Sequence, residues 1–359
     1  MKRNLVATTT FVVLCLITLA TPALSNPVGF NLIFAINGNV QIKRSRWTRY
    51  KKVYAGTLVN SSDKLRLTRG ASAKVFCSNL SIWTLPSPGV SSISRGCPSG
   101  SRAVLRRPNS NTSFTRAGNN PNIPYSIAPR NSKILTPSPR LRWNAIAGVT
   151  KYQVRLSGPG VDWKTEVSEP QVVYSGKEPL KPEYRYWFTV TADNGATTEN
   201  QNKPGFTLMS EAEISRVKAE IVKLQQQGLK DEDETIALAH LYRSNELYSD
   251  AIDLLSGFIQ KDKASAIVYQ LLGSTYQQVG LDLLAREKYL TALKLAETEK
   301  NLEAQATIQE SLGEVDFSLD NLQNSLQWYQ AAQVSYLRLR NIRKTLKLQN
   351  NVNKIKARI

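Results

Sequence analysis

The sequence predicts a multidomain chain of all-β and all-α parts, two β units followed by an α-solenoid of paired helices. Three observations predict it. Short runs of alternating apolar residues, bounded by turn residues, fill positions 30 to 100 and again 139 to 208. From Ser210 the apolar period becomes helical, and no proline follows Pro204. Within that helical stretch the sequence repeats itself: Leu238-Ala239-x-x-Tyr242 returns 34 residues later as Leu272-Gly273-x-x-Tyr276, and Leu312-Gly313 lies 40 residues further on. Self-similarity at such a period marks stacked supersecondary units that bury their apolar faces only against one another.

The first 25 residues have the layout of an export signal. Lys2 and Arg3 precede an apolar stretch from Leu5 to Ala20, Pro22 breaks it, and Ala23-Leu24-Ser25 supplies the small residues of a cleavage site. A mature chain beginning at Asn26 is expected in the periplasm, the cell envelope or outside the cell. The alternative is that the segment is retained as an anchor, although it is short for a span. Removing it removes Cys15 and leaves Cys77 and Cys97. An even pair in an oxidising compartment predicts a disulfide; in a reducing one the two remain buried thiols.

Charge is segregated along the chain. Residues 26 to 161 carry 21 Lys and Arg against one acid, Asp63, while residues 210 to 337 carry 11 against 20 acids. The last 22 residues hold 8 bases and no acid. A basic head, an acidic helical body and a basic tail follow. Within the head, Lys43, Arg44, Arg46, Arg49, Lys51 and Lys52 interleave with Trp47 and Tyr50, and Arg106 and Arg107 extend the charge. Aromatic and basic side chains together suit a polyanion such as an anionic cell-wall polymer, glycan or membrane surface. Nucleic acid is the expected anion only for a chain that stays in the cytosol. The plainer reading is a solvated charged hairpin.

In the head, Gly38-Asn39-Val40-x-Ile42, Gly56-x-Leu58, Asp63-x-Leu65 and Ala71-x-Ala73-x-Val75 follow one another, and this order resembles the FecR-like periplasmic domain. Ser62 stands where that family prefers glycine. The head is accordingly bounded at 26–100, with a small antiparallel barrel or sandwich expected. Residues 101–138, rich in Arg, Asn, Ser and Pro, read as a linker. In 139–208, Trp143, the alternation Tyr152-x-Val154-x-Leu156 and the spacing Leu180-x-Pro182-x-x-x-Tyr186 resemble a fibronectin type III or related immunoglobulin-like sandwich. That resemblance implies a core tryptophan and a tyrosine whose hydroxyl bonds back to the loop before its strand.

The repeated segment, 210–359, resembles the tetratricopeptide repeat, with Ala239, Gly273 and Gly313 as its small residue and Ala251 and Ala285 on the second helix. The third copy departs from the pattern, with Asp316 for the first-helix tyrosine and Ser325 for the alanine. Its extra six residues predict a lengthened hairpin between Ala292 and Ala306. An opening helix, 212–227, and a closing basic helix, 342–355, are expected to shield the ends. The resemblance implies a concave groove that takes an extended peptide or a partner helix. Carried over residue by residue, its positions are Asp233, Ile236, His240 and Arg243 in the first repeat, Gln270, Ser274 and Gln277 in the second, and Glu310, Glu314 and Phe317 in the third. The version of the family that clamps a C-terminal carboxylate has Lys and Asn where this chain has Ile236 and His240, or Gln270 and Ser274. With Glu310 and Glu314 at the far end, a neutral or partly basic peptide is expected.

Signals for chemistry are few. His240 is the one histidine, so no two-histidine metal motif exists and a Ser-His-Asp arrangement has no partner motif. No glycine-rich phosphate loop occurs. Asp231, Glu232, Asp233 and Glu234 read as a helix-starting cluster rather than an acid and base pair. The sequence therefore predicts no enzyme, no cofactor and no metal, but an exported scaffold with a protein or peptide in its groove and an anionic partner on its head. A periplasmic signal-receiving module, as the FecR-like resemblance implies, is the alternative; an enzyme with an unrecognised site is a third.

Overall fold

In the computed structural model, residues 31–45, 47–79, 81–86, 88–98, 120–198, 204–229, 231–261 and 264–359 are described. The expected export signal, the first part of the expected linker, Arg46, Arg106 and Arg107 lie outside them.

The head contains β1 (Asn31–Asn37), β2 (Val40–Lys43), β3 (Lys51–Lys52), β4 (Leu58–Val59), β5 (Lys64–Leu67), β6 (Ser72–Phe76), β7 (Ile82–Thr84) and β8 (Gly89–Ser92), with one helical turn, α1 (Ile93–Gly96). They form two antiparallel four-stranded sheets, β4-β1-β6-β7 and β3-β2-β5-β8, and no closed barrel. Ile33, Ile42, Leu65, Val75 and Ile93 pack into the core of this unit. The chain crosses between sheets at Asn37-Gly38-Asn39. Gly38 takes φ +77°, and a Cβ there would meet Ala71 at 3.1 Å, so the corner requires glycine. Cys77 and Cys97 are joined in a disulfide, with Cα atoms 5.2 Å apart. Strand β1 is buried on both faces from Asn31 to Phe34. Its inward Ile33 serves the head, while Leu32, Phe34 and Phe76 belong to the core of the helical half.

The second unit comprises β9 (Ser126–Ala128), β10 (Ser132–Ile134), β11 (Arg140–Trp143), β12 (Tyr152–Gly158), β13 (Val161–Val167), β14 (Gln171–Val173), β15 (Arg185–Ala192) and β16 (Phe206–Leu208). A five-stranded sheet, β10-β16-β15-β12-β13, faces a three-stranded one, β14-β11-β9, across a core of Leu141, Trp143, Tyr152, Leu156 and Phe188. Trp143 meets Tyr152 edge-on, with ring centroids 5.4 Å apart. The Tyr186 hydroxyl accepts the Lys181 N–H at 2.8 Å, the local bond its spacing predicts. The expected linker is corrected here. From Asn120 on it is structured, and β9 and β10 supply edge strands that a unit beginning at residue 139 would lack. Proline and polar residues hid them, since β10 pairs in parallel with the distant β16 through only three residues.

The helical half runs α2 (Glu211–Gln225), α3 (Asp231–Ser244), α4 (Tyr248–Lys261), α5 (Ala266–Gln278), α6 (Asp282–Thr298), α7 (Leu302–Ser318), α8 (Leu322–Arg338) and α9 (Ile342–Lys356). Ser210 and Glu213 form a capping box that starts α2. Helices pair as α3–α4, α5–α6 and α7–α8, each pair against the next, and α9 closes the stack against α8. Glu246, Gly280 and Asp320 take the same left-handed position in the three hairpin turns, with φ of 62°, 78° and 62°. A Cβ on Gly273 would lie 2.9 Å from the Tyr289 ring, and one on Gly313 2.7 Å from the Tyr329 ring. The small residue thus seats the aromatic of its own hairpin. The six extra residues of the third spacing are not loop. They lengthen α6 and α7, each of 17 residues against 13 in α5.

Both β units dock on the helical array. The head lies along the starts of the first helices of the repeats. Strand β1 packs on α3, Gly56 lies against Ile267 at the start of α5, and Arg44 pairs with Glu303 in the first turn of α7. The Lys51 ammonium donates to the Leu339 carbonyl between α8 and α9, at 2.5 Å. The second unit holds the opposite edge, at the hairpin turns. The Lys133 N–H donates to the Glu246 carbonyl and Arg130 Nε to the Val279 carbonyl, each at 2.8 Å. Arg142 pairs with Asp253 on α4. Among the described residues no helix is long and apolar enough to cross a membrane.

Candidate functional site

The first helices α3, α5 and α7 lie side by side, and Gly273 and Gly313 turn toward the second helices of their own repeats, so the flanking positions of the first helices form the inner face of the array. In the first repeat much of that face is covered. Ile236 and His240 are buried on α3, the helix that carries β1. Asp233 is half-buried. Burial pushes its carboxyl up, only partly opposed by Lys74 of β6. His240 is pushed down to about 3, first by burial and then by Arg243, so it stays neutral and carries no charge for a ligand at ordinary pH. The sequence placed Ile236 and His240 on an open groove; in the fold both are buried, and Ile236 shares a core with Leu32 and Phe34 of the head.

Beyond this the face opens. Arg243, Gln270, Ser274 and Gln277 are half-buried and Glu314 is exposed. Gln277 is pinned at both ends of its amide: Oε1 accepts from the Tyr289 hydroxyl at 2.8 Å and Nε2 donates to Glu314 at 3.4 Å. The Ser274 hydroxyl turns back to the Leu271 carbonyl, 2.9 Å away. Glu314 is pushed up by burial of its surroundings and then by the like charge of Glu310.

Glu310 itself is occupied. It is buried and accepts from the Tyr336 hydroxyl at 2.8 Å and from Lys344 Nζ at 2.6 Å, with Lys347 at 3.6 Å. Burial alone would raise its carboxyl, but the two lysines and Tyr336 hold it below the usual range. The basic closing helix therefore neutralises this acid and leaves Glu314, which accepts from Gln277, as the exposed carboxylate of the open face. Phe317 is half-buried under the Arg358 guanidinium, 4.9 Å from its ring. Tyr289, Lys344 and Lys347 are the groove residues that sequence reasoning missed. The basic run beginning at Arg338, opposite the acids of α7, is the signal that could have found the two lysines.

The structure divides the basic cluster of the head. Arg44 is spent on Asp63, at 3.6 Å, and on Glu303, and Lys51 on the Leu339 carbonyl. Trp47 lies between them, with Lys51 Nζ 4.5 Å and Arg44 Cζ 5.5 Å from the ring. These three residues fasten the head to the array. Lys43, Arg49 and Lys52 face outward, and Lys52 caps the Tyr54 ring at 5.1 Å. Register adds two residues the sequence reading omitted. Lys43 pairs with Lys64, and Gln41 lies between Arg66 and Lys52. Side chains at paired positions share a face, so Lys43, Lys52, Lys64 and Arg66 stand together on the outer side of β3-β2-β5. Arg66 covers the Tyr50 ring at 4.2 Å.

Among the described residues no group of three or more His, Cys, Asp or Glu is placed to hold a metal ion. The carboxylates nearest to an acid and base pair, Asp250 and Asp253, sit on α4 against the second unit. Asp250 is pushed up to about 6 by burial and then by Asp253, while Arg142 neutralises Asp253.

The class that this geometry defines is a solenoid of tetratricopeptide-type hairpins joined to two β units, with a partly covered inner face. No protein-family model matches the chain, and no curated protein matches it. Among solved structures it is similar to BtubC (BKLC) from P. vanneervenii, at 20% identity over 40% of this chain and 65% of that one, with a TM-score of 0.34. It is also similar to PcrH from Pseudomonas aeruginosa, at 15% identity over 41% of this chain and 95% of that one, TM-score 0.27. A third is YrrB, described as a TPR protein with an unusual peptide-binding site, at 16% identity over 41% of this chain and 81% of that one, TM-score 0.27. This chain spans slightly less than two thirds of the length of BtubC. Likenesses this slight carry no weight for function.

Proposed function

We propose that this chain is an exported, non-enzymatic scaffold that binds a protein or peptide on the part of the helical inner face left open by its own head. The observation that carries this reading is the run of solvent-reachable polar side chains Gln270, Ser274, Gln277 and Glu314, each on the inner face of α5 or α7. A concave row of spaced donors and acceptors suits an extended backbone that brings its own hydrogen-bonding groups. Export rests on the N-terminal residue pattern and fits a chain whose cysteines pair. The outer face of the head, with Lys43, Lys52, Lys64 and Arg66, is the half that would hold an anionic envelope polymer. Arg44 and Lys51 do not belong to it.

The test is site-directed photocross-linking in envelope extract. A photoreactive side chain at Gln270 or Ser274 is expected to capture a discrete partner, and one at exposed Leu290 on α6 to capture none. Equal labelling from both positions contradicts a groove. For the head, the full mature chain should leave a heparin column at clearly lower salt when Lys43, Lys52, Lys64 and Arg66 are changed to Gln. Unchanged elution contradicts the anionic half alone. The second reading, a signal-receiving module, draws on the docking of the head across three repeats, where a ligand that separates them would change the exposure of α3.

A further inference from the structure

Arg243 and Gln277 occupy the same place in successive repeats, in the last turn of α3 and of α5. Gln277 meets an acceptor from the following repeat, the Glu314 carboxylate. One repeat earlier, the residue corresponding to Glu314 is Ser274, whose hydroxyl is turned back to Leu271. The chain thus supplies an acid opposite the glutamine and none opposite the arginine, the reverse of what pairing within the chain would require.

Arg243 consequently stands without a counter-ion. Its Nε is sealed from solvent and has no hydrogen-bond acceptor among the described residues, and no carboxylate there forms an ion pair with it. The charged and titratable groups facing it are His240 from its own helix, Tyr248 from α4 and Tyr289 from α6. His240 is neutral, and the Tyr289 hydroxyl is donated to Gln277. A half-buried guanidinium with an unpaired Nε offers a planar carboxylate a charge-assisted, forked set of donors.

We infer that Arg243 is the receptor for a carboxylate brought by the ligand of the inner face, an acidic side chain or a C-terminal carboxylate of a peptide. This rests on the groove reading above and departs from one expectation from the sequence, that the ligand is a neutral or partly basic peptide. It requires an anion at the Arg243 end and tolerates a base only toward Glu314. Arg243 lies one turn beyond His240 and is not one of the clamp positions, of which Ile236 and His240 are buried while Gln270 and Ser274 are half-buried and are neither Lys nor Asn.

The test uses the full mature chain and two bead libraries of heptapeptides, one with amidated and one with free C-termini. The unaltered chain should enrich peptides with Asp or Glu at one fixed position, or only the free-carboxyl library, which separates the two sources. Arg243→Gln, with its helical circular dichroism unchanged, should lose that preference and bind the selected peptides at least tenfold more weakly. Arg243→Lys should retain part of it. Enrichment of peptides without a carboxylate preference overturns the inference and leaves the groove standing. Enrichment of nothing overturns both. If Arg243→Gln loses its helical signal, an Arg243→Lys chain that binds acidic and amide peptides equally also overturns the inference.

Discussion

Arg44 in the head forms an ion pair with Glu303 in the first turn of α7, across 259 residues of sequence. The only acid in the described head, Asp63, is buried against the same guanidinium. One arginine therefore ties the head's internal turn to the third repeat. Both partners are about a quarter exposed, which limits the strength of the link. A double-mutant cycle with Arg44→Ala and Glu303→Ala should give a coupling of about 0.5–1 kcal/mol by chemical denaturation. A coupling of zero would mean that this ion pair adds nothing to docking, and that the Lys51 bond to the Leu339 carbonyl and apolar contact hold the head.

Gly313 faces a harder constraint than Gly273. A Cβ at 313 would lie within 3.0 Å of three atoms of the Tyr329 ring, whereas at 273 one atom of Tyr289 is that close. Helix propensity favours alanine over glycine by about 1 kcal/mol, and the ring clash opposes it. Gly313→Ala should lower stability by about 1–3 kcal/mol, and Gly273→Ala by less. A bulky residue at 273 should melt the array. Circular dichroism melts read all three, and equal tolerance at both positions would show that the aromatics do not seat on the glycines.

Asp250 makes stability depend on pH. Its folded carboxyl titrates near 6, raised first by burial and then by Asp253, while an unfolded aspartate titrates near 4. A group raised in the folded state stabilises fully below its unfolded value, and the benefit is lost as pH rises through the folded one. Asp250→Asn should therefore raise the melting temperature at pH 7.5 relative to the unaltered chain, with the gain vanishing toward pH 4. A gain independent of pH would place the cause elsewhere.

The Cys77–Cys97 bridge closes a loop of about twenty residues between β6 and the end of α1. By loop-closure arguments its removal costs about 3 kcal/mol. Cys77→Ser with Cys97→Ser should shift unfolding of the head to lower denaturant and leave the melting of the helical array nearly in place. A joint shift of both would show that head and array unfold as one unit.

Much of this architecture was legible because it rests on local periodicity. The 34-residue register fixed Gly273 and Ala285, and the Leu180-x-Pro182-x-x-x-Tyr186 spacing fixed the bond to Lys181, since each depends on neighbours close in sequence. What could not be read was contact between units. Leu32-Ile33-Phe34-Ala35-Ile36 is a continuous apolar run rather than an alternating one, and such a run marks a strand buried on both faces; that was the one available sign that β1 also serves the array. Nothing comparable marks Arg44 and Lys51, whose pattern is that of a solvated basic patch until Glu303 and Leu339 are brought beside them. Asp316 illustrates the same limit. It breaks the repeat pattern, yet in the fold it is buried, paired with Arg286 Nε at 2.8 Å and bonded by Trp328 Nε1 at 3.0 Å. The substituted acid created its own partners instead of loosening the third repeat.

The central claim is that the head lies along the starts of the repeat helices and closes the first repeat. An ideal Cβ on Gly56 would sit 2.8 Å from Ile267 Cγ1, within reach of a disulfide. Gly56→Cys has a positive φ to accept, a strain of about 1–3 kcal/mol, which a formed bridge would exceed. Under mild oxidation the Gly56→Cys, Ile267→Cys chain should form a 56–267 link in nearly every molecule, read by mass spectrometry of unreduced peptides, with the 77–97 bridge intact. Free thiols at 56 and 267 in a chain whose 77–97 bridge has formed would contradict the docked head and reopen Ile236 and His240 to the groove.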